Sequence, residues 1–195
     1  MVVTNIEKSV KGKFKIYIDK EYHFWLYEKE LSLYHLEENT EIGSEVYKEL
    51  YNTVLKRAKK KAMDLLKFMD RTERELIIKL KQQDYNESII SDVMAYIKSF
   101  HYIDDERYAQ NYISLKKDTK SKRQIYAELA QKGIDEKLIE QVLNEEYASE
   151  DYAIQKAIRK KVNDVNALSK EEKEKLAASL YRKGFETELI KKYLF

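Results

Sequence analysis

The chain has 195 residues, of which 37% are charged, and it contains neither proline nor cysteine. This composition is typical of a helix-rich protein. The absence of cysteine excludes disulfides and thiolate metal sites and fits a reducing cytosol. No apolar run approaches the roughly 18 residues that a membrane span needs, and the N-terminus lacks the pattern of a signal peptide. We therefore expect a cytoplasmic protein without a membrane partner. We also expect a monomer.

The first 43 residues differ from the rest of the chain and predict a small β-rich module. Residues 14–18 and 22–27 are rich in β-branched and aromatic side chains, and the polar break between them indicates a β-hairpin. A short helix is expected around residues 29–34. Because a lone hairpin is marginal in water, we expect this module to pack on the helical body or on a second hairpin. Trp25 is the predicted anchor of the hairpin.

A long helix follows the module. Ser44 is predicted to cap its N-terminus, and the helix is expected to run to about Met69. Its apolar stripe has helical spacing and consists of Leu55, Ala58, Ala62, Leu65, Leu66 and Met69.

Beyond this helix, one helix–turn–helix motif occurs three times. Each copy opens with a capping box, in which a hydroxyl accepts a hydrogen bond from the third backbone N–H and a Glu or Gln side chain reaches back. The helix ends in a leucine, and a residue four positions later is predicted to adopt the left-handed conformation. The capping pairs are Thr72/Glu75, Ser121/Gln124 and Ser169/Glu172; the leucines are Leu80, Leu129 and Leu180; the turn residues are Asp84, Gly133 and Gly184; and the next helix opens at Asn86, Asp135 and Glu186.

The repeated leucines lie 49 and 51 residues apart, and internal periods of this size indicate stacked helical units. We therefore predict a mainly α fold with three tandem three-helix repeats in an elongated array, behind the N-terminal module. The predicted domains are residues 1–43, 44–100, 101–147 and 148–195. Arrays of this kind build extended binding surfaces rather than catalytic pockets.

Residues with catalytic potential form no recognisable enzyme site. The pair Asp104-Asp105 could be a carboxylate dyad or a metal site, but its place directly before a helical pattern favours helix capping. His23, His35 and His101 share no metal-ligand spacing, and no glycine-rich phosphate loop is present. We therefore expect no enzyme activity, no catalytic residue, no metal and no cofactor.

The sixteen tyrosines are open to two interpretations. Some could stack on nucleic-acid bases. A structural role between helices is favoured for most of them, because Tyr108, Tyr126 and Tyr152 lie near apolar helix positions.

The net charge of only +2 hides a strong segregation of charge along the chain. Residues 56–67 hold six basic residues against one acid, whereas residues 135–151 hold seven acids against one lysine. Basic residues also recur at the corner before the second helix of each repeat. They could form a solvated helix face, or, if the repeats stack regularly, a basic stripe suited to a phosphate backbone or an acidic protein groove. The candidate partner- and DNA-binding residues are Lys67, Arg71, Arg74, Lys116, Lys117, Lys120, Lys122, Arg123, Lys156, Arg159, Lys160 and Lys161.

The segment FHYIDDERYA, residues 100–109, resembles the signature of the RecX regulators of the RecA recombinase. The resemblance covers essentially the whole chain, and the β-rich N-terminus resembles that of members from Gram-positive bacteria. Two departures affect turns rather than surfaces: His101 stands where the family often has glycine, and Asp84-Tyr85 replaces a Lys-Gly pair. The other matching residues are Ala58, Ala62, Leu66, Arg71-Thr72, Glu75-Leu76 and Leu80 before this segment, and Ser121, Ile125, Glu128-Leu129 and Lys132-Gly133-Ile134 after it.

The resemblance implies a helical-repeat regulator of homologous recombination, DNA repair and the SOS response. Family members bind the RecA–single-stranded-DNA filament along its groove or at its growing end, and they lower its ATPase and strand-exchange activities. The implied partners are therefore the RecA filament and single-stranded DNA, contacted directly or through the filament. The alternative is a general nucleic-acid-binding helical-repeat protein without a recombinase partner.

Overall fold

The computed structural model describes residues 1–9 and 12–195, which form one small sheet and ten helices. The predicted mainly helical class with a β-rich N-terminus is confirmed. Residues 1–103 and 104–195 form two compact units, referred to below as unit 1 and unit 2. The elements are β1 (Val3–Lys8), β2 (Lys13–Ile18), β3 (Glu21–Tyr27), α1 (Glu28–Leu33), α2 (Ser44–Phe68), α3 (Glu73–Lys81), α4 (Glu87–Ser99), α5 (Asp105–Lys116), α6 (Lys122–Gln131), α7 (Glu136–Glu146), α8 (Asp151–Arg159), α9 (Lys170–Arg182) and α10 (Thr187–Leu194).

The predicted hairpin is present and is part of a three-stranded antiparallel sheet. Strand β2 pairs with β3, and the turn residues Asp19 and Lys20 have φ angles of 51° and 72°. Two consecutive left-handed residues are typical of the tight turns whose twist matches that of a hairpin. Strand β1, which the sequence did not indicate, pairs with the other edge of β2. The order of the sheet is therefore β1-β2-β3.

Trp25 anchors the sheet to the helices of unit 1, as predicted. Only 3% of this residue is exposed, and its indole N–H donates a hydrogen bond of 2.9 Å to the carbonyl of Gln83. The ammonium of Lys13 and the guanidinium of Arg57 lie 4.0 and 4.3 Å from the ring centroid. The β-rich module and helices α2–α4 therefore share one hydrophobic core.

Helix α2 differs from its prediction at both ends. Gly43 occupies the N-cap position, so the prediction that Ser44 caps the helix was wrong. At the other end Met69 adopts an extended conformation and is 53% exposed, so its assignment to the apolar stripe was also wrong. The fully buried residues of the helix recur every fourth position: Leu50, Val54, Ala58 and Ala62.

The three capping boxes are confirmed. The hydroxyls of Thr72, Ser121 and Ser169 each accept a hydrogen bond from the backbone N–H three residues later. The carboxylate of Asp104 also caps a helix, since it accepts a hydrogen bond of 2.9 Å from the N–H of Arg107. The interpretation of this acid as a helix cap is therefore confirmed.

The repeated motif is one kind of turn, the Schellman motif. In each copy the left-handed residue donates its N–H to a carbonyl three residues back, at 3.0, 2.9 and 2.8 Å, and the next N–H reaches the carbonyl of the repeated leucine at 3.4, 3.2 and 3.3 Å. The residue after the turn is apolar and buried in all three copies. The pairs are Leu80 with Tyr85, Leu129 with Ile134 and Leu180 with Phe185.

Three turns of this kind use residues other than glycine in the left-handed conformation: His35, with a φ of 47°, follows α1, and the other two are Asp84 and His101. Asp84 has a φ of 64°, and His101, at the end of α4, has a φ of 52°. The carboxylate of Asp84 lies 3.7 and 3.9 Å from the ammonium groups of Lys13 and Lys15. These charges help to hold Asp84 in its strained conformation, whereas His101 has no ion pair among residues 1–9 and 12–195.

Unit 2 contains two three-helix domains, α5–α7 and α8–α10, here called domains 2 and 3; helices α2–α4 are domain 1. Domains 2 and 3 each enclose a core of their own. Tyr108 and Tyr126 pack against the core of domain 2, as predicted. Tyr152 is 59% exposed, so its predicted place between helices was wrong: the buried face of α8 begins one residue later, at Ala153.

Replacing His101 with glycine should stabilise unit 1 by about 0.5–1 kcal/mol. The left-handed conformation costs a residue with a Cβ about 1–2 kcal/mol, which outweighs the extra chain entropy that glycine loses on folding. Ala95→Gly, on the same helix, should instead destabilise by about 1 kcal/mol. Chemical denaturation of both variants measures the difference, and a destabilised His101→Gly variant would contradict this assignment of strain.

Candidate polyanion-binding surfaces

The first set of predicted basic residues lies where α2 ends and α3 begins, in unit 1. Lys67 and Arg74 are exposed, whereas Arg71 is half-buried. The buried Nε of Arg71 has no hydrogen-bond acceptor among residues 1–9 and 12–195. This corner therefore presents two cations to solvent and holds a third partly inside the protein.

The second set, at the corner between α5 and α6, is partly engaged by contacts within domain 2. Lys120 forms an ion pair with Glu128, and the ammonium of Lys117 donates to the carbonyl of Glu146 at 3.3 Å. The ammonium of Lys122 lies 5.7 Å from the ring centroid of Tyr147. These contacts reduce the charge that this corner offers to a partner.

Glu128 is the acid that forms the ion pair with this set. Burial acts to raise the pKa of its carboxyl group, but hydrogen bonds from Lys120 and Tyr112 and the charges of Lys120 and Lys116 outweigh that effect. The pKa of Glu128 is therefore lowered. It follows that Glu128 is ionised at neutral pH and neutralises part of the corner.

The third set lies at the end of α8 in domain 3. The ammonium of Lys161 donates a hydrogen bond of 2.7 Å to the hydroxyl of Ser179, and that of Lys156 lies 5.5 Å from the ring centroid of Tyr152. Arg159 and Lys160 are exposed. This corner is therefore more open than the corner between α5 and α6.

Domains 2 and 3 meet at the N-terminus of α6. The hydroxyl of Ser121 accepts a hydrogen bond from the N–H of Gln124 and donates one of 2.6 Å to the carbonyl of Lys183, at the end of α9. The backbone N–H of Lys122 donates to the carboxylate of Glu150, which precedes α8. One serine thus caps its own helix and also binds the neighbouring domain.

The turn at Gly184 can approach α6 closely because it has no side chain. Its φ is +84°, and a Cβ built there would lie 2.9 Å from the hydroxyl oxygen of Ser121 and 3.0 Å from the Cβ of Arg123. Glycine at this position therefore adopts the left-handed conformation of the turn without strain and also leaves room for the contact between the domains.

A groove with a volume of about 350 Å³ lies beside this contact, between α6 and α9. Its lining contains three cations and no acidic residue, and Arg123 is the member of the predicted basic set that lies there. The other two cations were not predicted from the sequence, although basic residues next to the third Schellman turn were a visible signal. The residues of this α6–α9 groove are Arg123, Gln124, Ala127, Tyr181, Arg182, Lys183 and Gly184.

Two searches of residues 1–9 and 12–195 gave negative results. No group of three or more His, Cys, Asp or Glu side chains there has an arrangement that could hold a metal ion. None of the helices in the same residues combines the length and the apolar character needed to cross a membrane.

Gly184→Ala should destabilise unit 2 by at least about 2 kcal/mol, because backbone strain is added to a clash with the Cβ of Arg123, which the α6 backbone holds in place. Gly12→Ala is the matched control: its φ is also positive, at 70°, but nothing lies within 4 Å of the added Cβ. It should cost only about 0.5–1 kcal/mol. Chemical denaturation measures the free energy of unfolding of both variants. Equal decreases for Gly184→Ala and Gly12→Ala would show that the clash at Gly184 adds nothing to the destabilisation.

Glu150→Gln should stabilise the protein relative to the wild type at pH 7 but not at pH 4. Burial raises the pKa of Glu150 above its ordinary 4.5, against the opposing effect of the hydrogen bond from the Lys122 N–H. The stability that this carboxyl contributes is therefore lost as the pH rises through the raised pKa of Glu150. Glutamine keeps a hydrogen-bond acceptor without the charge. Thermal unfolding measured as a function of pH tests this prediction, with the exposed Glu174→Gln as control. The prediction is contradicted if Glu150→Gln is less stable than the wild type at pH 7 by more than it is at pH 4.

Three family models match the chain in tandem. The first three-helix domain of RecX matches residues 58–96, the second matches residues 104–143 and the third matches residues 150–194.

Relatives and solved structures give the same result. The regulatory protein RecX of Caldanaerobacter subterraneus subsp. tengcongensis is 36% identical over 199 residues, covering 100% of this chain and 98% of that protein. That of Clostridium acetobutylicum is 27% identical, covering 89% and 83%. A crystal structure of regulatory protein RecX matches with a TM-score of 0.66 and 25% identity over 97% of both chains. RecX from Lactobacillus salivarius matches with a TM-score of 0.62 and 26% identity, covering 71% of this chain and 92% of that one. The chain therefore belongs to the RecX family of regulatory proteins.

Proposed function

We propose that this protein is a non-enzymatic modulator, mostly an inhibitor, of the RecA recombinase. It binds the filament that RecA forms on single-stranded DNA and lowers its ATPase and strand-exchange activities. The observation that carries the proposal is the acid-free α6–α9 groove, where Arg123 of domain 2 and Arg182 and Lys183 of domain 3 converge. A RecX-family chain with such a surface is suited to a polyanionic assembly.

The repeated domains suit a partner that is itself repetitive. Exposed cations occur in unit 1 at Lys67 and Arg74, and in unit 2 at Arg123, Arg159 and Lys160. Each contact with a filament can be weak, because linked contacts raise the effective concentration of the next one. A chain that binds one conformation of the filament more tightly than another opposes the changes that ATP turnover requires.

The acidic segment between residues 135 and 151 gives unit 2 a surface of opposite charge. Glu136, Glu140 and Glu145 are exposed on α7. Such a surface repels a nucleic-acid backbone and attracts basic protein surfaces. In this proposal the protein acts as a cytoplasmic monomer whose acidic side faces RecA or keeps additional DNA away.

The second candidate is a nucleic-acid-binding protein that acts without a recombinase. The same basic groove favours it, because phosphate contacts alone give salt-dependent binding. Tight binding to bare DNA, without any effect on the RecA ATPase, would support this candidate against the first.

The test is to add the protein to preformed RecA–single-stranded-DNA filaments and to follow ATP hydrolysis and filament length. The wild type should lower the hydrolysis rate, and the charge reversal Lys122→Glu/Arg123→Glu should weaken this effect and its dependence on salt. Lys173→Glu/Lys175→Glu, on the first half of α9 and outside the predicted basic set, is the control with the same change of charge. Unchanged hydrolysis with the wild type would contradict the proposed function.

A further inference from the structure

We propose that the α6–α9 groove binds one nucleotide unit of a single-stranded nucleic acid directly. Arg123, Arg182 and Lys183 hold the phosphate, and the ring of Tyr181 stacks on the base. This inference deepens the proposed function and rests on it for the biological setting.

The charge of the groove is not neutralised from within the protein. Several other cations of unit 2 have carboxylate partners, such as Lys120 with Glu128 and Lys192 with Asp151. Arg123, Arg182 and Lys183 form no ion pair within 4.0 Å in the part of the chain that the structure describes. A phosphate placed in the groove would therefore meet cations that no side chain has already paired.

Two acidic residues, Glu150 and Glu186, lie near the groove but outside its lining. The carboxylate of Glu150 accepts the backbone N–H of Lys122, and Glu150 is not part of the groove lining. The N-terminus of α6 carries the partial positive charge of its helix dipole. This partial charge favours an anion beside α6, whereas the carboxylates of Glu150 and Glu186 act against it.

Tyr181 is the feature that points to a nucleotide rather than a simple anion. It is 57% exposed. The hydroxyls of Tyr112, Tyr147 and Tyr193 are hydrogen-bonded to Glu128, the Lys120 carbonyl and Asp151. Among residues 1–9 and 12–195, by contrast, no aromatic ring packs on Tyr181, no cation lies over its ring, and its hydroxyl has no hydrogen-bond partner. An exposed aromatic ring beside unpaired cations is the combination that single-strand binders use.

The size and rigidity of the groove fit this ligand. Its volume of about 350 Å³ exceeds what a lone phosphate needs and falls at the lower end of the roughly 300–1,000 Å³ typical of ligand sites. Its two walls belong to different domains, and the bond between Ser121 and Lys183 holds them together. The cations are therefore positioned before the ligand arrives, which reduces the entropy lost on binding.

The experiment compares two oligonucleotides with the same phosphates, an oligothymidylate and an abasic strand of equal length, by fluorescence anisotropy. Tyr181→Ala should weaken binding to the oligothymidylate at least about fivefold and leave the abasic strand unaffected. Tyr181→Phe, which keeps the ring, should bind both strands as the wild type does. These two variants separate stacking from any general effect on folding.

The charge of the groove is tested on the same strands. Arg123→Ala/Arg182→Ala should weaken binding to both and reduce the slope of log affinity against log salt by about 0.7 for each phosphate that the variant no longer neutralises. Lys173→Ala/Lys175→Ala removes two charges from the same unit. It should leave intact the part of the binding affinity that depends on Arg123 and Arg182. Equal weakening in the two charge variants, or a Tyr181→Ala variant that binds both strands like the wild type, would overturn the inference.

Failure here can be told apart from failure of the proposed function. If the wild type lowers the RecA ATPase but the groove variants bind both strands as the wild type does, the groove inference is wrong and the function stands. If the groove variants behave as expected but the filament is unaffected, the nucleotide site stands and the proposed function is wrong.

Discussion

The structure depends on a single kind of turn, in which a helix ends in a left-handed residue and the next N–H folds back to the carbonyl of a buried leucine. The turn satisfies carbonyl groups that would otherwise have no partner at a helix end. It also buries the apolar residue that follows, so that the next helix starts in contact with the same core. The three copies occur at Leu80, Leu129 and Leu180. Each of them sets the geometry of one three-helix domain.

The third copy has a second role. Because Gly184 has no Cβ, its turn lies directly against Ser121 and Arg123 of domain 2. The hydroxyl of Ser121 then reaches the carbonyl of Lys183, which the helix itself leaves unpaired. The same contact brings Arg182 and Lys183 next to Arg123 and creates the α6–α9 groove. A residue required for its backbone conformation thus also shapes the surface on which the proposed function rests.

The sequence predicted the features that depend on residues close together in the chain. A capping box such as Ser121 with Gln124 spans three residues, and a left-handed turn such as Gly133 is marked by glycine itself. Features that depend on distant residues were missed. Ser121 and Lys183 are 62 positions apart, and nothing in the helical period indicates that they touch. The basic residues could be named from the sequence, but the pairing of Lys120 with Glu128, which neutralises one of these cations, needed the positions of the side chains.

The most direct test of the central claim, that unit 2 uses the groove between its two domains to contact the DNA strand of a recombinase filament, is an electron cryomicroscopy structure of the protein bound to RecA on single-stranded DNA. The map should show a phosphate between Arg123 and Arg182 and a base against the ring of Tyr181. A bound protein whose α6–α9 groove faces solvent or RecA alone, with the strand contacted elsewhere or not at all, would contradict the claim.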